Sequence, residues 1–190
     1  MHFRHLCEKL QIEQTEIKRW EQIRHNMKIH FHEDNIISQF DGYADLKELD
    51  WDAYRDKYSN IQRLDRILEA EGDSANHYKI SKQADVLMLF YLFSSEELQE
   101  LFHQLGYKFS KDMVQKNVKY YLKRTSSGSS LSQVVPAWIS ARTNRKDSWE
   151  FFNKALLIDI EDVQGGTTSE GIHIGAMAGT MDIIQRCYTG

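Results

Sequence analysis

The sequence is poor in cysteine and has no excess of positive charge. Cys7 and Cys187 are the only cysteines among 190 residues, which is too few for a disulfide scaffold and offers no CxxC spacing for zinc or redox chemistry. This scarcity favours a reducing, cytoplasmic location. The 24 Lys and Arg residues oppose 28 Asp and Glu residues, so the net charge is −4. Because affinity for phosphate backbones and anionic lipids depends on clustered cations, we expect no nucleic-acid partner and no membrane surface.

Long hydrophobic runs are also missing. The longest one covers residues 86–93, far short of the roughly 20 residues that a membrane-crossing helix needs. The N-terminal residues 1–5 lack the apolar core of an export signal. We therefore expect no membrane span.

Proline is almost absent, which leaves long stretches free to be helical. Apolar residues at helical spacing predict an amphipathic helix over 13–27, and short apolar patches predict extended chain near 29–43 before short helical pieces between 45 and 75. The second half predicts helices at 83–93, 96–104, 112–123, 131–142, 148–158 and 172–186. The single proline, Pro136, predicts a late start or a kink in the helix at 131–142. The fold class is thus mainly α.

These helices alternate between apolar or small compositions and amphipathic ones. If residues 96–104 form part of a connection, the order is inner, outer, inner, outer, inner, as in an α/α toroid, although a layered helical bundle fits the same pattern. Consecutive helices of a toroid are antiparallel, so all inner helices begin at the same end. We expect the residues that precede 83–93, 131–142 and 172–186 to lie together.

Polar clusters occur at these three helix starts. Ser81, Lys82 and Gln83 open the first helix, residues 125–130 precede the second, and residues 165–173 lead into the third. A loop of glycine and hydroxyl residues before a helix presents free N–H groups that can hold phosphate, although N-capping explains such loops as well. The sequence contains neither GxxxxGK[ST] nor GxGxxG after a strand, so the nucleotide-binding motifs are missing.

His173 stands at the first turn of the last predicted helix, where its ring can donate to an anion or to a sugar oxygen, or can lie in the core with a satisfied hydrogen bond. Gly171, Gly175 and Gly179 are four residues apart and predict a bare helix face for close packing. His30 and His32, with Glu33 and Asp34 following, have the HxH spacing of two zinc ligands, but zinc would need a third and a fourth ligand and no further Cys/His cluster accompanies the pair, so we predict no metal site.

Four strings share their order and spacing with a known enzyme family. The strings are Gln39-Phe40-Asp41-Gly42-Tyr43, Lys82-Gln83-Ala84-Asp85-Val86, Arg124-Thr125 with Gly128-Ser129-Ser130-Leu131-Ser132, and Asp162-Val163-Gln164-Gly165-Gly166-Thr167-Thr168 through Glu170-Gly171-Ile172-His173 to Ala178-Gly179-Thr180. With these strings the chain resembles glycoside hydrolase family 65, the inverting α-glucosyl disaccharide phosphorylases such as maltose, kojibiose and trehalose phosphorylases. The run over 159–190 is the strongest part of the resemblance.

The resemblance implies an (α/α)6 toroid, a six-hairpin barrel in which inorganic phosphate is a co-substrate and no cofactor is needed. Phosphate attacks the anomeric carbon of an α-linked glucose disaccharide and releases β-glucose 1-phosphate, while a Glu protonates the leaving sugar. By position, Lys82 and Gln83 would hold the glucosyl unit, and Ser129, Ser130 and His173 would hold phosphate.

The family's general acid lies in a motif resembling Gly-Pro-Asp-Glu-Tyr, and no such string occurs between Met1 and Gly190. The resemblance therefore implies that residues 1–190 form a single partial domain, the second half of a catalytic barrel, which we expect to be inactive alone. Two alternatives stay open. The chain can be a non-catalytic helical module that pairs with itself or with a complementing chain, or an inverting α-glucoside hydrolase that uses Glu170 as base.

Overall fold

The computed structural model describes residues 4–161, 169 and 171–189 and is mainly helical, as predicted. The first half contains α1 and α2, a small hairpin of β1 and β2, and the short helices α3 and α4. The second half contains α5 to α10. Their bounds are α1 Arg4–Lys9, α2 Gln14–His25, β1 Phe31–His32, β2 Ile36–Ile37, α3 Trp51–Lys57, α4 Leu64–Ala70, α5 Asp85–Leu92, α6 Ser95–Gln104, α7 Lys111–Leu122, α8 Leu131–Ala141, α9 Arg145–Leu156 and α10 Ile174–Ile183.

Helices α6, α7 and α9 begin within three residues of the predicted starts because polar side chains cap them. Ser94 accepts a hydrogen bond from the backbone N–H of Glu97, whose carboxylate accepts one from Ser94 in return, so α6 begins with a capping box. Ser110 and Asn144 cap α7 and α9 in the same way through their side-chain oxygens. The expected late start of the helix at 131–142 is wrong: α8 begins at Leu131, and Pro136 lies inside it.

The extended segment forms an antiparallel hairpin in which Phe31 lies opposite Ile37 and His32 opposite Ile36. Two buried side chains of α7 hold this hairpin against the core. Asn117 accepts a hydrogen bond from the N–H of Ile37 at 2.8 Å, and the Tyr121 hydroxyl donates to the carbonyl of the same residue. Burial raises the pKa of Tyr121, so this hydroxyl keeps its proton as a donor.

One serine, Ser148, connects α8, α9 and the residues that follow α10. Ser148, near the start of α9, donates its hydroxyl to the carbonyl of Ala137 and shares a 2.7 Å hydrogen bond with the hydroxyl of Tyr188. The second half of α8, the start of α9 and the turn after α10 therefore lie together. At the other end, Asp159 in the turn after α9 bonds to His173 at the start of α10. Helix α9 is therefore antiparallel to both neighbours, and α8 and α10 run in the same direction.

Helix α5 joins this arrangement on the other side of α8. The Ser132 hydroxyl at the start of α8 donates to the carbonyl of Lys82, just before α5, at 2.7 Å. Near the opposite ends of the two helices, the rings of Tyr91 and Trp138 lie 5.8 Å apart. The expectation that three polar helix starts share one end is thus met, and we call this end, formed by the beginnings of α5, α8 and α10, the polar end.

Close packing of α10 on α8 involves Gly179. A Cβ placed on Gly179 would lie 2.5 Å from Cγ1 of the buried Val134, so the two helices approach where this glycine stands. Gly175 is exposed, and a Cβ there would have no described atom within 4 Å. The predicted bare face is therefore confirmed at Gly179 and wrong at Gly175.

Candidate functional site

The polar end is organised by Ser132, whose side chain links the segments before α5 and α8. Its hydroxyl donates to the carbonyl of Lys82 and accepts from the backbone N–H of Ser129 at 3.2 Å. The same two segments pair further back, since the Ser81 N–H donates to the carbonyl of Arg124 and the Ser126 N–H donates to the carbonyl of Ser81. These bonds bring the sequence-predicted Lys82 and Ser129 together.

The loop over 125–130 is confined by the backbone on its other side. A Cβ placed on Gly128 would lie 2.3 Å from the carbonyl oxygen of Gln62, nearer than real Cβ atoms come to any atom. Ser127, the residue before it, has a φ of +59°, a left-handed conformation that side chains rarely adopt. Both features restrict the backbone conformation of the loop where it passes residue 62.

Ser129 and Ser130, the two predicted phosphate ligands, differ in whether their side chains cap α8. The Ser129 hydroxyl accepts from the N–H of Leu131 at 3.3 Å, so it contributes to the start of α8. Ser130 occupies the N-cap position without a side-chain capping bond. Both residues are half-buried. N-capping therefore accounts for part of the role of Ser129 and leaves the Ser130 hydroxyl unassigned.

Lys82 is held by a carboxylate that sequence reasoning missed. Its ammonium nitrogen lies 2.8 Å from Oδ2 of Asp65, at the start of α4. Burial by itself would raise the pKa of Asp65, but the hydrogen bond and the charge of Lys82 outweigh that effect and lower this pKa. The ion pair fixes a cation at the polar end, where a lysine can also donate to a sugar hydroxyl.

Gln83 lies next to Lys82, two residues before α5, and its amide contacts Sδ of Met88 at 2.6 Å. The neighbouring N–H of Asp85, the first residue of α5, donates to the side-chain oxygen of Gln39 at 2.8 Å. Gln39 is the first residue of the string Gln39-Phe40-Asp41-Gly42-Tyr43, so this string reaches the polar end through a capping interaction. Sequence analysis assigned no separate role to Gln39.

His173 occupies the N-cap of α10, at the same end as the beginning of α8. The backbone nitrogen and the ring nitrogen Nδ1 of His173 both bind the carboxylate of Asp159. The backbone N–H donates to Oδ2 of Asp159 at 3.0 Å, and Nδ1 of the ring lies 2.6 Å from Oδ1. The hydrogen bond from His173 is the main cause that lowers the pKa of Asp159, which is therefore an anion at neutral pH. His173 is neither an unbound surface residue nor a core histidine.

The structure thus brings Lys82, Gln83, Ser129 and Ser130 into one neighbourhood and places His173 at the same end of the parallel helices. Residues 162–168 and Glu170, which include much of the strongest matching string and the alternative base, lie outside the described residues. Sequence reasoning missed Asp65, Asp159 and Ser132, although Ser132 stands inside a matching string. Their partners are 14 to 50 positions away in the chain, so local patterns give no sign of these contacts.

His30 and His32, the two histidines with the HxH spacing, each contact a different nearby residue. Nδ1 of His30 lies 3.5 Å from Asp41, whereas Nδ1 of His32 lies 2.7 Å from the Ser38 hydroxyl, so the two imidazoles have separate partners. Within the described ranges, no three His, Cys, Asp or Glu side chains come close enough together to hold a metal ion. In the same part of the chain, every helix is too short or too polar to cross a membrane.

Comparisons with known proteins bear on this site. The chain is 58% identical over 98% of its length to a glycosyl hydrolase of Mycobacterium tuberculosis, of which it covers 14%. It is 38% identical over 92% of its length to the trehalose 6-phosphate phosphorylase of Lactococcus lactis, of which it covers 23%, and 28% identical over 97% of its length to the kojibiose phosphorylase of Halothermothrix orenii, of which it covers 22%. The chain therefore spans less than a quarter of the length of these relatives.

The family model of the glycosyl hydrolase family 65 central catalytic domain matches residues 2–182, nearly the whole chain. This match includes α5, α8 and α10 with the residues of the polar end. The helical architecture agrees with part of the α/α toroid that forms this catalytic domain. The chain belongs to glycosyl hydrolase family 65.

Proposed function

We propose that these 190 residues supply the phosphate and glucosyl contacts of an inverting family 65 disaccharide phosphorylase. Ser129, Ser130 and His173 bind inorganic phosphate, the co-substrate, and Lys82 and Gln83 bind the glucosyl unit of an α-linked glucose disaccharide. The named relatives support the substrate class, since those proteins are phosphorylases of trehalose 6-phosphate and kojibiose. The unpaired Cys7 and Cys187 agree with a cytoplasmic setting for this activity.

The observation that carries the proposal is the shared direction of α5, α8 and α10. The N-terminal end of a helix carries a partial positive charge, and the beginnings of these three helices face one end of the bundle. Some of their N–H groups already bond to Gln39, Ser129 and Asp159. Lys82 brings an ammonium group to this end, where Asp65 holds it, and His173 brings an imidazole that Asp159 holds. An oxyanion with several acceptor oxygens, such as phosphate, matches this set of donors.

In the proposed reaction, this chain supplies the phosphate contacts, and a residue outside it supplies the proton. A phosphate oxygen attacks the anomeric carbon from the face opposite the leaving sugar, a C–O bond to phosphate forms, and the glycosidic C–O bond breaks. The electron pair of that bond goes to the leaving oxygen, which takes a proton from a carboxylic acid. The phosphate contacts lie in this chain, and we assign the proton donor to a residue beyond these 190.

This division predicts phosphate binding without turnover. Inorganic phosphate titrated into the chain in a calorimeter is expected to bind, and Ser129→Ala and His173→Ala should each weaken it about tenfold, as expected for loss of one charge-assisted or strong hydrogen bond of 1 to 2 kcal/mol. Ser140→Ala, the same change at the far end of α8, serves as the control and should bind as the unsubstituted chain does.

The same preparations, incubated with phosphate and α-linked glucose disaccharides, should form no glucose 1-phosphate. Turnover that disappears in His173→Ala would show that a proton donor lies within the chain and would contradict the division. Absence of phosphate binding, or binding that does not change in His173→Ala, would contradict the phosphate site itself.

A second candidate function is a helical module that pairs with another protein chain. Helix α2 favours it, because none of its residues is buried and two of its three apolar side chains are exposed to solvent. Trp20 and Ile23 on α2 and Met27 just after it are 51%, 55% and 59% exposed. An exposed apolar stripe of this kind on a helix is typical of a surface that another protein covers.

Association through α2 predicts a concentration-dependent sedimentation coefficient. Trp20→Lys combined with Ile23→Lys should shift the chain to the monomer in sedimentation velocity, because two charges on the stripe oppose its burial. Lys18→Glu, on the polar side of the same helix, is the control. A monomer at every concentration that also fails to bind a hydrophobic dye would count against the module.

A further inference from the structure

Asp159 lies in the turn that follows α9 and directs both of its carboxylate oxygens to His173. One oxygen accepts from the backbone N–H at 3.0 Å, and the other lies 2.6 Å from Nδ1 of the ring. The two side chains are 13% and 22% exposed, so water has limited access to this pair. A single carboxylate thus binds the main chain and the side chain of the same residue.

Two bonds to one rigid group determine where the imidazole points. The bond to the backbone fixes the carboxylate relative to the start of α10, and the bond to Nδ1 then fixes the rotation of the ring about both side-chain torsions. The carboxylate is an acceptor, so Nδ1 carries a proton and Nε2 is the ring nitrogen left for a ligand. This is how carboxylates orient histidines that bind metal ions.

We propose that Asp159 is the positioning residue of the phosphate site and acts on phosphate solely by orienting His173. The inference rests on the proposed function, because it takes His173 as a phosphate ligand. A competing role is purely structural: the same bonds join the turn after α9 to the start of α10 whatever the ring does. The two roles differ in whether the effect of Asp159 depends on the imidazole.

A double-mutant cycle separates these roles. Dissociation constants for inorganic phosphate are measured by calorimetry on the unsubstituted chain, Asp159→Asn, His173→Ala and the double variant. Asn keeps the shape and an acceptor for the backbone N–H but removes the charge. Asp159→Asn should weaken binding about tenfold, in the range found for carboxylates that orient metal-binding histidines. In the His173→Ala background the same substitution should have no further effect.

The control is Asp182→Asn, the same chemical change on α10 at an aspartate that pairs with Arg186. It should leave phosphate binding unchanged. Equal losses from Asp159→Asn in both backgrounds would assign Asp159 the structural role and overturn the inference. Phosphate binding that needs His173 and is unaffected by Asp159→Asn would also overturn it, while the proposed function would stand.

A second readout does not depend on the stability of the variant. In the ¹⁵N spectrum of the unsubstituted chain without phosphate, the His173 ring should carry a proton on Nδ1, and added phosphate should shift the resonance of Nε2, the nitrogen that faces the ligand. A ring protonated on Nε2 alone would overturn the inference. If the chain binds no phosphate, the proposed function fails, and the role of Asp159 in phosphate binding fails with it.

Discussion

Gly128→Ala is expected to lower the free energy of unfolding by about 3 kcal/mol and to abolish phosphate binding. The new Cβ would lie 2.3 Å from the carbonyl oxygen of Gln62. That oxygen belongs to the backbone and cannot rotate away, so the loop over 125–130 or the segment at residue 62 must move. Overpacking of this kind costs about 1 to 3 kcal/mol, and a clash with backbone falls at the upper end. Movement of the loop displaces Ser129 and Ser130 from their places beside Lys82.

Urea unfolding followed by circular dichroism measures the first effect, and phosphate calorimetry measures the second. Gly175→Ala is the matched control because a Cβ there meets no described atom within 4 Å and the residue lies in the first turn of α10. It should be neutral or slightly stabilising, since alanine favours a helix more than glycine does. If Gly128→Ala is as stable as this control, the close approach of the loop to Gln62 is wrong.

The helices of the second half could be predicted because their signals are local. Apolar spacing marked residues 96–104 and 112–123, and the serines before them supplied the caps, so α6 and α7 begin one residue earlier than predicted. The effect of Pro136 could not be judged from the sequence. Proline disturbs an isolated helix, but α8 is almost wholly buried, and packing of its apolar side chains outweighs the lost hydrogen bond.

The polar residues at the helix starts could be predicted from the sequence, but the two carboxylates that bind them could not. Polar residues before three apolar helices pointed to Lys82, the loop over 125–130 and His173, the family resemblance singled out Ser129 within that loop, and the toroid rule predicted that they share one end. Asp65 and Asp159 are 17 and 14 residues from their partners, and acidic residues in such turns are usually solvated. Only the packing of α4 and of the turn after α9 brings these two carboxylates to the cations.

Asn117 is the most constrained polar side chain of the core. It is fully buried in α7, and each of its side-chain groups has a backbone partner. Its oxygen accepts from the N–H of Ile37 at 2.8 Å, while its NH₂ donates to the carbonyls of Asn35 and Met113 at 2.9 and 2.8 Å. Both donor hydrogens and the acceptor are thus used, and a group with fewer donors cannot satisfy the same three partners.

Asn117→Asp is therefore expected to lower the free energy of unfolding by about 4 kcal/mol at pH 7. The substitution turns the NH₂ into an oxygen that faces two carbonyl oxygens, and it buries a charge without a cation in those bonds. Burial would raise the pKa of the new carboxyl above its unfolded value near 4, so the folded state would bind the proton more tightly. The penalty relative to the unsubstituted chain should then be small below about pH 4 and should grow as the pH rises, because the protonated acid can donate to one carbonyl.

Asn60→Asp is the control, since Asn60 is exposed and its oxygen accepts only from the N–H of Gln62, a bond that the carboxylate keeps. Urea unfolding of both variants between pH 4 and pH 8 measures the difference, and a penalty for Asn117→Asp that stays constant across this range would show that the carboxyl is solvated and that α7 does not hold the hairpin through this side chain.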